Sequence, residues 1–163
     1  MKVYEAEKNE FFISTDKSKL NIQFIHHYLS NESYWAKNIP EETVIKSIEG
    51  SFCFGLYLNE NISEATKKLP QGIQIGFARV VTDHATFAYL ADVFIVEEFR
   101  RRGLANWLMK EIMNHEDLQG LRRWMLATKD AHTLYARFGF LPLDKPERVM
   151  GFKPFDEYPK TNS

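Results

Sequence analysis

The chain has 163 residues, and we expect residues 1–163 to form a single domain, because domains cluster around roughly 100–150 residues. Its 21 basic and 22 acidic side chains give a net charge of −1, which argues against a protein whose whole surface binds nucleic acid or anionic lipid. Hydrophobic residues make up 44% and charged residues 26% of the chain, so the composition is that of a globular domain and excludes general disorder.

The first third of the chain predicts one strand and two helices. Residues 11–14 are apolar and read as a short strand. Over residues 20–29 the aliphatic side chains recur at helical spacing. Pro40 opens a second helix that runs through Ile48, with acidic residues in its first turn and Gly50 as its stop.

The middle of the chain predicts three strands. Two of them cover about 51–58 and 72–82, and the polar segment 59–70 between them suits a hairpin with a long loop. The third covers about 86–96 and is apolar almost throughout, as in a central strand buried on both faces. Asp92 is its one ionisable residue.

The last third predicts a helix, a strand and a second helix, followed by more strand. The helix covers about 103–114 and the strand covers 123–128. Asp130 is expected to cap a short helix that closes at Gly139. Two last short strands are expected at 140–143 and 148–152, before a loosely held tail from Pro154. This order predicts an α/β fold with a mixed sheet and helices packed on it.

Cysteine content and hydropathy indicate the cellular setting. The single cysteine, Cys53, excludes an intramolecular disulfide and a cysteine-based zinc site. The charged start of the sequence lacks the apolar core of a signal peptide, and no stretch approaches the roughly 20 apolar residues of a membrane span. We therefore expect a reducing, cytoplasmic location and no membrane partner.

A basic turn joins the apolar strand at 86–96 to the next helix. Arg100, Arg101 and Arg102 precede Gly103, where the helix begins, and Ala105 keeps the first turn small. The first turn of a helix has unpaired N–H groups and partial positive charge, so this turn is suited to phosphate groups. The alternative is a solvated cluster of surface arginines, and neither a P-loop nor a dinucleotide fingerprint is present.

Two motifs in this part of the chain resemble the GNAT superfamily of N-acetyltransferases. The pattern Arg100-x-x-Gly103-x-Ala105, after an apolar strand and at the start of an amphipathic helix, is similar to the superfamily's acetyl-CoA signature. The second motif lies in residues 131–140, where the pair Leu134-Tyr135 precedes Phe-Gly-Phe. The resemblance is close over about residues 72–152, which would form the cofactor-binding core.

The resemblance implies a mostly antiparallel sheet flanked by helices, with a splayed pair of parallel strands at 87–96 and 123–128. Acetyl-CoA would bind as co-substrate, with no metal. Arg100 would hold the turn or touch phosphate, and Asp130 stands where the family often has an Asn that touches the cofactor. The main chain at Phe94, Ile95 and Val96 would pair with the pantetheine arm. The pyrophosphate would lie on the amides of Arg101, Arg102, Gly103, Leu104, Ala105 and Asn106.

The reaction implied is acetyl transfer to a primary amine by direct attack in a ternary complex. The amine must lose a proton, an N–H near Phe94 would stabilise charge on the thioester oxygen, and the departing thiolate needs a proton. The resemblance assigns that last proton to Tyr135, and the alternative for Tyr135 is core packing. Asp92 is a catalytic base by one interpretation and an ion-paired carboxylate by the other.

The acceptor site and the identity of the base are less determined by the sequence. His132 and His84 are further candidates for the base, although each is more typical of a surface histidine. Tyr34 and Trp35 lie in the loop between the first two helices, which often lines the acceptor pocket in this family; otherwise they fill the core. The expected acceptor is a small-molecule amine rather than a protein, and homodimers are common in the family.

Two other classes of function remain as alternatives. One is a module that binds acyl-CoA as a sensor, without catalysis. The other is a nucleic-acid-binding module that uses the arginines at 100–102 and 122–123. The near balance of acidic and basic side chains around these arginines argues against the second alternative.

Overall fold

The computed structural model describes residues 2–59 and 72–159. Over these residues the chain forms a six-stranded α/β sheet in which the strands follow one another in sequence order. The strands are β1 (Glu5–Lys8), β2 (Phe11–Ser14), β3 (Phe52–Leu58), β4 (Ile73–Thr82), β5 (Phe87–Ile95) and β6 (Arg123–Met125). All neighbouring strands are antiparallel except β5 and β6, which are parallel. The predicted mixed, mostly antiparallel sheet with one parallel pair is therefore confirmed.

Helices cover both faces of this sheet. They are α1 (Ile22–His27), α2 (Glu41–Glu49), α3 (Leu104–Asn114) and α4 (His132–Ala136). A single π-helical turn, Tyr28–Glu32, extends α1. None of the helices in the described ranges is long and apolar enough to span a membrane.

The two faces of the sheet follow from side-chain alternation along its strands. On β3, Phe54 and Leu56 point into the core under α3, and Cys53 points into the core under α1 and α2. The spacing of apolar residues in α3 at every fourth position buries Leu104 and Leu108 against the first of these cores. The predicted strand at 11–14 and the predicted ends of the helices at Gly50 and Gly103 agree with the structure.

Several sequence-based predictions are wrong at the edges of the sheet. The strand β1 was not predicted, because its residues are mostly exposed and charged and lack an apolar pattern. The strand expected at 123–128 ends at Met125. The segments 140–143 and 148–152 are not strands. Pro142 cannot donate to a ladder within the first, and a short 3-10 helix, Pro146–Arg148, runs into the second. The loop at 59–70 lies almost wholly outside the described residues.

The strand β5 is only partly buried, in contrast to the prediction of burial on both faces. Its ladder to β6 covers Phe87 to Tyr89 and then stops. Residues 91–93 beyond that point are half-buried, because no described strand covers them on that side. Because β6 ends at Met125, the chain after it leaves β5, and the opening between the two contains the candidate site.

Candidate active site

The turn between β5 and α3 presents main-chain groups outward. Arg101 and Gly103 have φ angles of 62° and 75°, so the backbone is left-handed at both positions. No side chain caps the N-terminus of α3, and a methyl group added at Gly103 would meet no atom within 4 Å. The first-turn amides of α3 therefore face open space, which suits an anion at a helix N-terminus.

Arg100 holds this turn in place through hydrogen bonds to two neighbouring segments. Its Nε donates to the carbonyl oxygen of Ile95 at 2.9 Å, and its Nη2 donates to the hydroxyl of Tyr28 at 3.0 Å. The Tyr28 ring stacks on the Phe94 ring with a centroid distance of 3.8 Å and an interplanar angle of 5°. Of the two roles that the resemblance implied for Arg100, the structure shows the first. Tyr28 is a residue that sequence reasoning missed, because no motif marks it.

The other residues expected at the cofactor turn occupy different environments. Arg101 and Arg102 are exposed, and the Arg102 guanidinium lies 5.0 Å from the centroid of the Phe99 ring. Leu104 is buried in the core, so only its main chain is available at the turn. Ala105 is half-buried, and Asn106 accepts a hydrogen bond from Nη1 of Arg137 at 3.3 Å.

The end of β5 supplies both main-chain edges and core side chains. The side chains of Phe94 and Ile95 are buried. The Val96 amide donates to the carbonyl oxygen of Ile75 at 3.0 Å, so it pairs with β4. The Ile95 carbonyl already accepts from Arg100. Part of the main chain that the resemblance assigns to the pantetheine arm is thus engaged within the protein.

A cavity of about 310 Å³ lies between the diverging strands. Residues 90–93 of β5 form one side, and residues 127–131 after β6 form the other. Aromatic side chains line it from distant parts of the sequence: Tyr34, Trp35, Tyr89, Tyr135 and Tyr158. The structure thus brings the predicted residues Tyr34, Trp35, Asp92, Asp130 and Tyr135 together around one space.

Tyr135 is the buried residue among the aromatic side chains that line this cavity. It lies on α4, only 9% of its surface is exposed, and its ring packs edge-on to Phe140 at 6.1 Å. Burial, with smaller contributions from Tyr34 and Asp130, raises the pKa of Tyr135 to about 12. The phenol therefore keeps its proton at neutral pH and is able to donate it.

Asp92 forms an ion pair, which was one of the two interpretations of this residue. It sits in a β-bulge with a φ of 52°, where Asp92 and Val93 lie opposite the single residue Ala78. One carboxylate oxygen bonds the Nε of Arg79, and the other accepts from the indole N–H of Trp35 at 2.9 Å. Its side chain is 8% exposed, so the carboxylate is buried and compensated.

The loop with Tyr34 and Trp35 joins the two sides of the cavity. The two rings pack edge to face at 5.0 Å, and the Tyr34 hydroxyl accepts from the amide of Lys129 at 2.8 Å. The predicted cap by Asp130 is wrong: the helix cap is Ala131, whose amide donates to Oγ1 of Thr128 at 3.0 Å. No side chain caps α4, and Asp130 is exposed at the cavity.

Arg79 and Tyr158 also belong to the site and were not predicted. Arg79 lies on β4, and no pattern in the sequence marks it as part of a site. Tyr158 lies in the tail, yet it is half-buried, and its amide donates to the Lys37 carbonyl at 3.3 Å. The expectation of a loosely held tail is therefore wrong for this residue. The base candidates His84 and His132 do not line the cavity.

Comparison with known proteins agrees with this fold. The acetyltransferase (GNAT) domain model matches residues 59–142. A protein from Gibberella zeae is 34% identical over 140 residues, which cover 80% of this chain and 78% of that protein. A crystal structure from Xanthomonas campestris pv. campestris, described as belonging to the GNAT family, is 47% identical with a TM-score of 0.79, covering 88% of this chain and 92% of that one. Both carry the description "putative acetyltransferase".

A more distant structure shares the fold. It is a GNAT family acetyltransferase from Elizabethkingia anophelis with acetyl-CoA bound, 16% identical with a TM-score of 0.56, covering 84% of this chain and 80% of that one. The sheet with its parted parallel strands thus defines a fold of the acetyltransferase class. The chain belongs to the GNAT family of acetyltransferases, as its two motifs indicated.

Proposed function

We propose that the protein transfers an acetyl group from acetyl-CoA to a primary amine by direct attack in a ternary complex. The observation that carries the proposal is the cavity between β5 and the residues after β6, which is lined by the buried side chain of Tyr135. The uncapped turn before α3 follows the same strand β5. A site for an anionic carrier and a site for a small acceptor therefore adjoin one strand.

The residues of the turn fit the diphosphate part of acetyl-CoA. The amides at the start of α3 have no capping side chain, and Gly103 leaves the approach to them open. Arg100 fixes the turn, and Arg101 and Arg102 add positive charge at the surface. When bound, acetyl-CoA supplies an acetyl group activated as a thioester. The acetyl-CoA in the Elizabethkingia anophelis structure, which shares this fold, supports the choice of carrier.

The chemistry needs two proton movements, and the residues of the cavity bear on both. The amine nitrogen forms a bond to the acetyl carbon as the carbon–sulfur bond breaks. Tyr135 donates its phenolic proton to the departing sulfur and regains a proton from water before the next turnover. The surplus proton of the amine leaves to water at the mouth of the cavity, because the buried carboxylate of Asp92 is already paired with Arg79. Asp92 then acts as a positioning residue for Trp35.

Replacement of Arg100 and Tyr135 tests the two halves of the proposal separately. Arg100→Ala should weaken acetyl-CoA binding, measured by calorimetry, by about tenfold or more, because the turn loses both of its internal bonds. Tyr135→Phe should keep that affinity and lower turnover by about 10²-fold. An unchanged affinity for acetyl-CoA in Arg100→Ala would contradict the carrier site. Full turnover in Tyr135→Phe would show that Tyr135 only packs in the core and is not the acid.

The pH dependence of turnover gives a second test of Tyr135. An acid with an ordinary tyrosine pKa would begin to lose its proton near pH 10. Because burial raises the pKa of Tyr135 to about 12, its acid form persists through that range. Turnover should rise with pH as more amine becomes unprotonated and should show no fall up to about pH 10. A decline below that pH in a protein that is still folded would contradict the assignment.

The setting and partners of the enzyme form part of the same proposal. We place the reaction in the cytoplasm, with a small-molecule amine as partner. Arg100 and Arg102 contact their own chain, which disfavours a nucleic-acid-binding role for this turn. Binding of acetyl-CoA without turnover of any amine would instead indicate that the protein is a sensor of acyl-CoA.

A further inference from the structure

We propose that the acceptor is a small aromatic amine that carries no carboxylate or phosphate group. This inference rests on the proposed function and specifies the class of amine that the cavity selects. It follows from three properties of the cavity: the aromatic lining, the balance of charge and the volume.

The lining favours a flat apolar body with an attached cation. Five aromatic side chains reach the cavity from the loop after α1, from β5, from α4 and from the tail: Tyr34, Trp35, Tyr89, Tyr135 and Tyr158. Aromatic faces pack well against another ring, and they also attract an ammonium group. The edge-to-face pair of Tyr34 and Trp35 is fixed by hydrogen bonds at both members, so these surfaces are in place before a ligand arrives.

The charge of the lining disfavours acidic acceptors. Arg79 is the one cationic side chain among the described lining residues, and it bonds Asp92 and the hydroxyl of Ser51. The Arg79–Asp92 pair is neutral overall, so Asp130 determines the sign of the net charge of the described lining residues. Lys129 precedes Asp130 in the sequence but does not line the cavity. Its ammonium group lies 5.7 Å from the centroid of the Tyr34 ring. An ammonium group is attracted to Asp130, whereas a carboxylate or phosphate is repelled and finds no unpaired cation among the described lining residues.

The volume sets the size of the acceptor. The cavity holds about 310 Å³. Ligand pockets span roughly 300–1,000 Å³, so this one is at the small end and suits a molecule of the size of one ring with a short aminoalkyl arm. A folded protein could present only a single side chain or terminus to such a space.

Matched pairs of amines test the inference. Tyramine and tyrosine differ by one carboxylate, as do phenethylamine and phenylalanine; tyrosinamide keeps the bulk of tyrosine without its charge. With acetyl-CoA and a free-thiol readout, kcat/KM should be at least about tenfold higher for each decarboxylated amine than for its amino acid, with tyrosinamide closer to tyramine. Equal rates for tyrosine and tyramine, or a preference for a lysine-containing peptide, would overturn the inference.

Variants at Asp130 connect the preference to the structure. Asp130→Asn should reduce the preference for tyramine over tyrosine by at least about threefold, and Asp130→Lys should reduce it further. Asp144→Asn makes the same change of charge at an exposed residue that does not line this cavity, so it should leave the preference unchanged. A preference that stays constant in Asp130→Lys would also overturn the inference.

The outcomes separate this inference from the proposed function. If no amine of any class is acetylated, the proposed function itself fails. If amino acids or phosphorylated amines are acetylated as well as the aromatic amines, transfer stands and the acceptor class is wrong. Calorimetric titration of tyramine and tyrosine into the protein with CoA present measures the same preference without turnover.

Discussion

The turn after β5 and the cavity beside it are built in different ways. In the turn, residues 100–106 are consecutive, and the groups that face outward are main-chain amides at the start of α3. In the cavity, the lining comes from strands β4 and β5, from the residues after β6 and from two loops far apart in the sequence. Its polar contacts are made between side chains, as in the bonds of Asp92 with Arg79 and Trp35.

This difference determines how each region should respond to substitution. The turn should tolerate changes of side chain that leave its backbone and its open approach intact. The cavity should lose both its shape and part of the stability of the fold when one member of its side-chain network is removed.

Arg79→Met should be the most damaging single change in the cavity. It leaves the Asp92 carboxylate, whose side chain is 8% exposed, without its cation. Removing one partner of a buried ion pair costs about 3–5 kcal/mol of unfolding free energy. We expect a loss near the lower figure in chemical denaturation, because Arg79 itself is 20% exposed and water reaches the pair.

The double variant Arg79→Met/Asp92→Asn is the control for this prediction. It removes the buried charge as well as its partner, so it should recover a large part of the lost stability. Both variants should keep their affinity for acetyl-CoA, since the turn lies outside this network. A single variant as stable as the wild-type protein would show that the ion pair does not organise the cavity.

Gly103→Val tests the turn and should produce the next largest effect. Valine is strained at a φ of 75°, and its side chain would stand in the open approach to the α3 amides. We expect acetyl-CoA affinity to fall by more than about tenfold, measured by calorimetry. Gly120→Val is a matched control: Gly120 has a φ of 74° and open space around it, but it lies outside the site.

The two glycine variants should lose similar stability, about 1–2 kcal/mol each, from backbone strain. Only Gly103→Val should lose affinity for acetyl-CoA. If Gly120→Val loses as much affinity, the effect belongs to general destabilisation and the role of the α3 amides is disproved. This comparison isolates the main chain, which no side-chain deletion can remove.

The same difference explains what the sequence could predict. The turn is contiguous, so a strand, three arginines and Gly103 read in order indicate its geometry and suit it to phosphate groups. The resemblance of Arg100-x-x-Gly103-x-Ala105 to the family signature adds acetyl-CoA as the expected ligand. The parallel pair β5–β6 was predictable for the same reason, because strand, helix and strand follow one another. Local order in the chain was sufficient for these features.

The parts that could not be predicted depend on contacts between distant segments. Arg79 and Asp92 are 13 residues apart, and Trp35 and Asp92 are 57 apart; no local pattern marks either contact. The β-bulge at Asp92 gives no sequence signal, although it aims the carboxylate at both partners. Tyr158 was assigned to a loose tail because its contact with Lys37 crosses most of the chain.

Tyr28→Phe should have the smallest effect, because it alters the turn through a single hydrogen bond. It keeps the ring that stacks on Phe94 and removes the hydroxyl that accepts from Arg100 at 3.0 Å. A hydrogen bond to a charged group contributes about 1.5–3 kcal/mol when well buried, and less here because Arg100 is exposed as a whole. We therefore expect acetyl-CoA affinity to fall by about threefold to tenfold.

Tyr4→Phe is the matched control for this last change. It also removes a hydroxyl that is hydrogen-bonded to a charged side chain, since Tyr4 donates to Oε2 of Glu111 at 2.6 Å. That contact joins the N-terminal segment to α3 away from its first turn, so the affinity for acetyl-CoA should not change. If Tyr28→Phe leaves the affinity unchanged as well, the bond from Arg100 to the Ile95 carbonyl is sufficient to hold the turn. Arg100→Ala should then still weaken binding, because it removes that bond as well.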